Sequence, residues 1–212
     1  MRILRAATPL LLLAVLAGCG GAADPAPPAA APVLPADPVP GATTLAAPPD
    51  ADAFPALPGA TLAIVLRADE AGAATMRDAA VALAADAGVD ADVFAAPTPD
   101  ADGVAAALAE ALAADPDVVV GLGAGVVDVF SLESAQLLDR SFLLVGAQVA
   151  EPTENVTAVV WDGATSRGSA ASADGALDPS TVTDSRARAA LVAGLDAVWA
   201  GDTGGVILLS AG

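Results

Sequence analysis

Beyond residue 60 the chain alternates: short runs of aliphatic and β-branched residues are separated by longer alanine-rich stretches with helical spacing. That alternation constrains the fold more than any single motif, because a strand, a helix and a further parallel strand form a right-handed crossover. The runs are Thr61-Leu-Ala-Ile-Val-Leu66, Asp117-Val-Val-Val-Gly121, Phe142-Leu-Leu-Val-Gly146 and Val156-Thr-Ala-Val-Val-Trp161. They are too continuously apolar for a sheet with one wet face and read as strands covered on both sides. Asp92-Val-Phe-Ala95 and Gly205-Val-Ile-Leu-Leu-Ser210 add two more.

The intervening stretches carry helix signals. Met76, Ala80, Leu83 and Ala87 place a helix over 71–87, stopped by Gly88. Asp100 or Asp102 caps a second, which carries Val104, Leu108, Ala111 and Leu112 and ends at Asp115-Pro116. A third lies near 125–139, and a fourth over 185–200 puts Leu191, Leu195 and Trp199 on one stripe. The expected fold class is therefore α/β over residues 61–212: a three-layer arrangement of a parallel sheet with helices on both faces.

The first sixty residues are of another kind. Arg2 and Arg5 precede the apolar run Leu10–Leu16, which is far shorter than the roughly 20 residues a membrane-spanning helix needs. Leu16-Ala17-Gly18-Cys19 closes it and resembles a lipobox, the cleavage and acylation signal of bacterial lipoproteins. Cys19 is the one cysteine in the chain. The reading is a lipoprotein signal peptide over 1–18, with acyl chains on Cys19 holding the protein at the extracytoplasmic face of the cell membrane. Residues 19–60 hold 11 of the 17 prolines and read as a disordered Pro/Ala-rich tether.

Composition removes most catalytic chemistries. The 212 residues include 26 acidic and 8 basic side chains, and every basic residue is an arginine. With no His and no Lys, the His-based nucleophilic dyads, His-zinc sites, Schiff bases and the phosphate-binding P-loop are excluded. A net charge of −18 removes the basic footprint that nucleic-acid binding requires. No cofactor is expected. Carboxylates recur in pairs, at 50/52, 90/92, 100/102 and 115/117, yet no run has the spacing of a calcium loop. They read as caps and turns, and no metal site or catalytic residue is assigned. Ser166 has no GxSxG context and no base, Asn155-Val-Thr157 reads as a strand start rather than a glycosylation sequon, and Trp161 and Trp199 read as core or edge aromatics.

Residues 116–168 carry a resemblance. Pro116-Asp117 opens a strand, Gly121 and Gly123 form a turn, Phe142 starts the next strand and Asn155-Val156 the one after it. This pattern is similar to the middle of the basic membrane lipoprotein (BMP, purine-nucleoside-receptor-like) family of ABC-transporter substrate-binding lipoproteins, over about 116–209. The resemblance implies a periplasmic-binding-protein-like lobe and capture of a nucleoside-like polar solute without catalysis. It also implies an ABC importer permease as partner. Two departures stand out. Arg67-Ala-Asp69-Glu70-Ala-Gly72 lacks the Phe and Asn of the family's ligand loop, and the sequence stops where the family's second lobe begins.

Ligands of open α/β sheets sit beyond the carboxyl ends of the strands. By that rule Arg67, Asp69, Gly123 and Gln148 are the candidate ligand-binding residues. Gly121-Leu-Gly123-Ala-Gly125 suits an anion at a helix start, although Val126 breaks GxGxxG and the glycines equally serve a tight turn. Three readings follow: a solute receptor, a degenerate single-lobe envelope lipoprotein with a structural or partner-binding role, and a carboxylate hydrolase. Cys19→Ser should move the protein from the membrane to the soluble fraction on cell fractionation; continued membrane retention would remove the acyl anchor.

Overall fold

A computed structural model describes residues 41–167 and 177–211. The signal peptide, Cys19 and the first half of the expected tether lie outside them. The described residues form one parallel sheet of seven strands: β1 (Thr43–Ala46), β2 (Thr61–Leu66), β3 (Asp90–Ala95), β4 (Val118–Leu122), β5 (Ser141–Val145), β6 (Val156–Trp161) and β7 (Val206–Leu209). Four helices accompany them: α1 (Ala73–Ala87), α2 (Ala101–Ala113), α3 (Val127–Ser134) and α4 (Asp184–Ala200). The order across the sheet is β1-β7-β6-β5-β4-β2-β3. The expected fold class is the one observed.

Side-chain alternation along each strand splits the core into two layers. Leu62, Ile64 and Leu66 of β2 join Val118, Val120, Leu143, Val145, Val159 and Ile207 against α1 and α4. Ala63 and Val65 join Val119, Phe142, Leu144, Ala158 and Val160 against α2 and α3. Both layers are dry, which is the condition a parallel sheet must meet. Alanine-rich helices meet it by approaching closely. At Gly194 of α4 a Cβ would fall 2.4 Å from Leu143 Cδ1, so this helix lies on β5 and β6 at a distance only glycine permits.

The helix ends follow the chemistry of their caps. The Asp100 carboxylate accepts from the Gly103 N–H at 2.9 Å and starts α2. Asp115, with φ 53°, adopts the left-handed conformation that stops it before Pro116. Gly88 and Gly201 close α1 and α4 in the same conformation. The third helix is shorter than the expected 125–139. The Asn155 amide group donates to the carbonyls of Ser134, Leu137 and Arg140 at 3.1, 2.9 and 3.0 Å, collecting the chain at the end of α3 where helical bonding stops. Asn155 is thus a cap on another element as well as the residue before β6.

Two findings revise the organisation expected from composition. Thr43–Ala46, expected to be tether, pairs in parallel register with Val206–Leu209 and forms an edge of the sheet. Residues 47–60 then cross to β2, packing Phe54 on Trp199 with ring centroids 6.1 Å apart and bonding the Leu57 N–H to the Ala87 carbonyl at 2.9 Å. The described fold accordingly includes residues 41–60. The physical reason is that four residues of edge strand need only one paired neighbour and one covered face, which a proline-rich flank does not prevent. The loop after β6 is also partly tied: Ala164 and Asp178 bond back to Trp161 and Gly163, and Trp161 Nε1 donates to Thr181 Oγ1 at 3.1 Å.

The Thr157 hydroxyl, near the start of β6, is fully buried and has no hydrogen-bond partner. A buried unsatisfied hydroxyl costs free energy that an isosteric methyl does not. Thr157→Val should therefore raise the free energy of unfolding by about 1 kcal/mol in urea denaturation; an unchanged or lower value would show that the hydroxyl is satisfied.

Candidate functional site

The chain leaves β2 toward β3 on one side and, one crossover later, reaches β4 on the other. The run β3-β2-β4-β5-β6 is the doubly wound order, and its switch point lies between the carboxyl ends of β2 and β4. The two loops leaving those ends are Arg67–Gly72 and Gly123–Val126, and they meet there.

What joins them is Glu70. Its carboxylate accepts the Ala124 N–H through Oε1 at 2.7 Å and the Gly125 N–H through Oε2 at 2.8 Å, one oxygen for each donor. These donors open the 3-10 turn Ala124–Val126 that leads into α3, so the carboxylate fills the position at which a helix start favours negative charge. The glycines are explained by this approach. A Cβ at Gly123 would lie 2.7 Å from Glu70 Oε1, and one at Gly125 would lie 2.5 Å from Arg67 Cδ and 2.7 Å from Glu70 Oε2.

Arg67 lays its stem along Gly125 and turns its guanidinium to Asp69, with Nε and Nη2 on the two carboxylate oxygens at 3.2 and 2.9 Å. The pair is partly exposed at the mouth of the crevice. Its hydrogen bonds hold the Asp69 carboxyl below the usual carboxylate range and raise the guanidinium. Glu70 behaves in the opposite way. Burial pushes its carboxyl above the usual range, against the two backbone donors and the Arg67 charge, which pull it down.

Of the residues expected here, Arg67, Asp69 and Gly123 converge on the switch point. Gln148 lies apart from them, beyond β5. It is buried, its amide faces the Thr165 carbonyl at 3.4 Å, and its backbone N–H donates to the Ser166 carbonyl at 2.7 Å, fixing the segment after β6 beside β5. Glu70 does not stand out in the sequence. The signal is present in the glycine-rich turn, which calls for an anion, but nothing local shows that one of the chain's own 26 acids supplies it.

An open groove of about 530 Å³ lies further along the same edge, past the carboxyl ends of β1 and β7. Pro48–Asp52, the first turn of α4, and Leu209–Ser210 line it. Arg188 lies on its wall and is paired to Asp86 at 2.6 Å. Among the described residues no cluster of acids, His and Cys is suited to hold a metal, and no helix is long and apolar enough to cross a membrane.

No family model and no curated protein matches the sequence. Solved structures with a partial likeness include an ABC-transporter solute-binding protein from Aeropyrum pernix K1, 14% identical with a TM-score of 0.42 over 49% of this chain and 29% of that one. A putative lipoprotein fragment from Peptoclostridium difficile 630 is 11% identical, with a TM-score of 0.46 over 68% of this chain and 99% of that one. A transcriptional activator of the comK gene from Bacillus halodurans is 16% identical, with a TM-score of 0.42 over 49% of this chain and 35% of that one. The chain thus spans about a third of the Aeropyrum and Bacillus proteins. The fold itself rests on the sheet order and the helices that flank it: a doubly wound parallel α/β sheet.

The raised Glu70 carboxyl has a consequence for stability. A carboxyl that holds its proton more tightly when folded contributes stability below its unfolded value, near 4.5, and loses it as pH rises through the folded value. The stability of the wild type relative to Glu70→Gln should therefore fall as pH rises from about 4 toward neutrality, measured by urea denaturation at about half-unit steps. A rising difference would mean that the two N–H donors outweigh burial.

Proposed function

We propose that this chain is the lobe of a lipid-anchored, extracytoplasmic receptor that captures a small polar solute and presents it to an ABC-type importer, with no chemistry of its own. One observation carries the reading: all seven strands end on one edge, which holds a switch point with built polar groups between β2 and β4 and, beyond β5 and β6, a groove of about 530 Å³ past β1 and β7. That is the edge at which open parallel sheets receive ligands, and the groove has the volume of a small-molecule site. Arg67 and Asp69 offer donors and acceptors at the mouth of the crevice. The resemblance over 116–209 makes a nucleoside-like solute the first class to test. Cys19 supplies the anchor in this reading, and an importer permease is the partner.

A second reading is favoured by a specific observation. The crevice is filled by Glu70 from within, as expected of a degenerate lobe whose role is structural or partner-binding. The catalytic reading has no comparable support, because the acidic residues at the switch point are committed to Arg67 and to backbone donors.

A thermal-shift panel of nucleosides and neutral sugars on the full chain separates the two. Ligand at about 100 times its dissociation constant adds about 2.7 kcal/mol to the folded state, a rise of roughly 5–10 °C in melting temperature for a domain of this size. A flat panel would remove solute capture and leave the partner-binding lobe.

A further inference from the structure

The switch point contains its own anion. In a doubly wound sheet the turn at this place presents unpaired backbone N–H groups to whatever occupies the crevice. Here both donors, at Ala124 and Gly125, are bonded to the separate oxygens of one carboxylate. The fit extends to the covalent structure of the turn, since a side chain at 123 or at 125 would collide with that carboxylate. The cation that would otherwise attract a negatively charged ligand, Arg67, is committed to Asp69 through two hydrogen bonds. Asp100 is close enough to interact with Arg67. Arg67 with Asp69, Glu70 and Asp100 gives the crevice one cation against three carboxylates, a negative balance.

We propose that Glu70 is the specificity-determining residue of this site: its carboxylate takes the place that an anionic group of a ligand would fill, and so restricts the crevice to uncharged polar solutes. The inference rests on the solute-capture reading for its biological meaning, but the physical claim concerns the turn alone. Two charge-assisted hydrogen bonds from a preformed turn are a strong local interaction, and an external phosphate or carboxylate must displace an acceptor already tethered on the same chain. An uncharged solute need not displace it, and can use the exposed oxygens of Asp69 and the remaining donors of Arg67.

The probe is inorganic phosphate, titrated calorimetrically into the full chain and into Glu70→Ala at constant ionic strength. The wild type should show no saturable binding at millimolar phosphate. Removing the carboxylate frees two N–H donors, and the variant should bind phosphate at least about tenfold more tightly than the wild type. Equal binding by both proteins, or no binding by a folded Glu70→Ala, overturns the proposal. Should the variant melt early, its melting in phosphate is compared with that in sodium chloride of equal ionic strength. Rescue by phosphate alone supports the proposal, and equal melting in both salts overturns it. The two readings fail separately. If phosphate binds Glu70→Ala while nucleosides and sugars bind neither protein, solute capture falls and the role of Glu70 stands. If a neutral solute binds the wild type while phosphate ignores the variant, only the role of Glu70 falls.

Discussion

A sheet whose strands all run one way can leave neither face to water, and the rest of this molecule follows from that requirement. Every inner strand must be apolar at successive positions, every return connection must cover a face, and every carboxyl end must arrive at the same edge. The chain satisfies the first condition with valine and leucine runs and the second with alanine-rich helices that lie close to the sheet. The third condition is a by-product, and it creates the site. Loops that have no reason to be neighbours in sequence are delivered to one line, and the reversal of winding between β2 and β4 opens a gap there.

Much of this is legible in the residues because it is local. Thr61–Leu66 and Val156–Trp161 are strands over the stretches that the apolar pattern marks, and α1 stops at Gly88 as its composition indicates. What stays hidden depends on distant partners. The third helix is cut short by the amide of Asn155, reached only after the chain has formed another strand. The edge strand Thr43–Ala46 exists because β7 arrives more than 150 residues later to pair with it. Its own surroundings, crowded with proline, point the other way.

The site divides along the same line. Position relative to strand ends places Arg67, Asp69 and Gly123 at the switch point, since that rule needs only topology. The same rule selects Gln148 beyond β5, whose amide faces the Thr165 carbonyl of the segment beyond β6. It also cannot distinguish Glu70 from its neighbours, because two acids side by side in one loop have different fates: Asp69 turns back to an arginine two residues away, and Glu70 crosses to a turn that begins 54 residues later. By sequence the glycines of that turn are backbone geometry. In the folded chain they are the clearance around a carboxylate.

The edge strand β1 gives the domain a compass bearing. Gly41, the first described residue, bonds to the Gly204 carbonyl just before β7, so the preceding chain enters at the amino-end margin of the sheet. The crevice and the groove open at the opposite margin, about 20 Å away across the length of a six-residue strand. Whatever holds residue 41 from the N-terminal side therefore holds the domain by its back. Residue 41 and the carboxyl edge are set at opposite margins of the sheet by the direction of the strands alone.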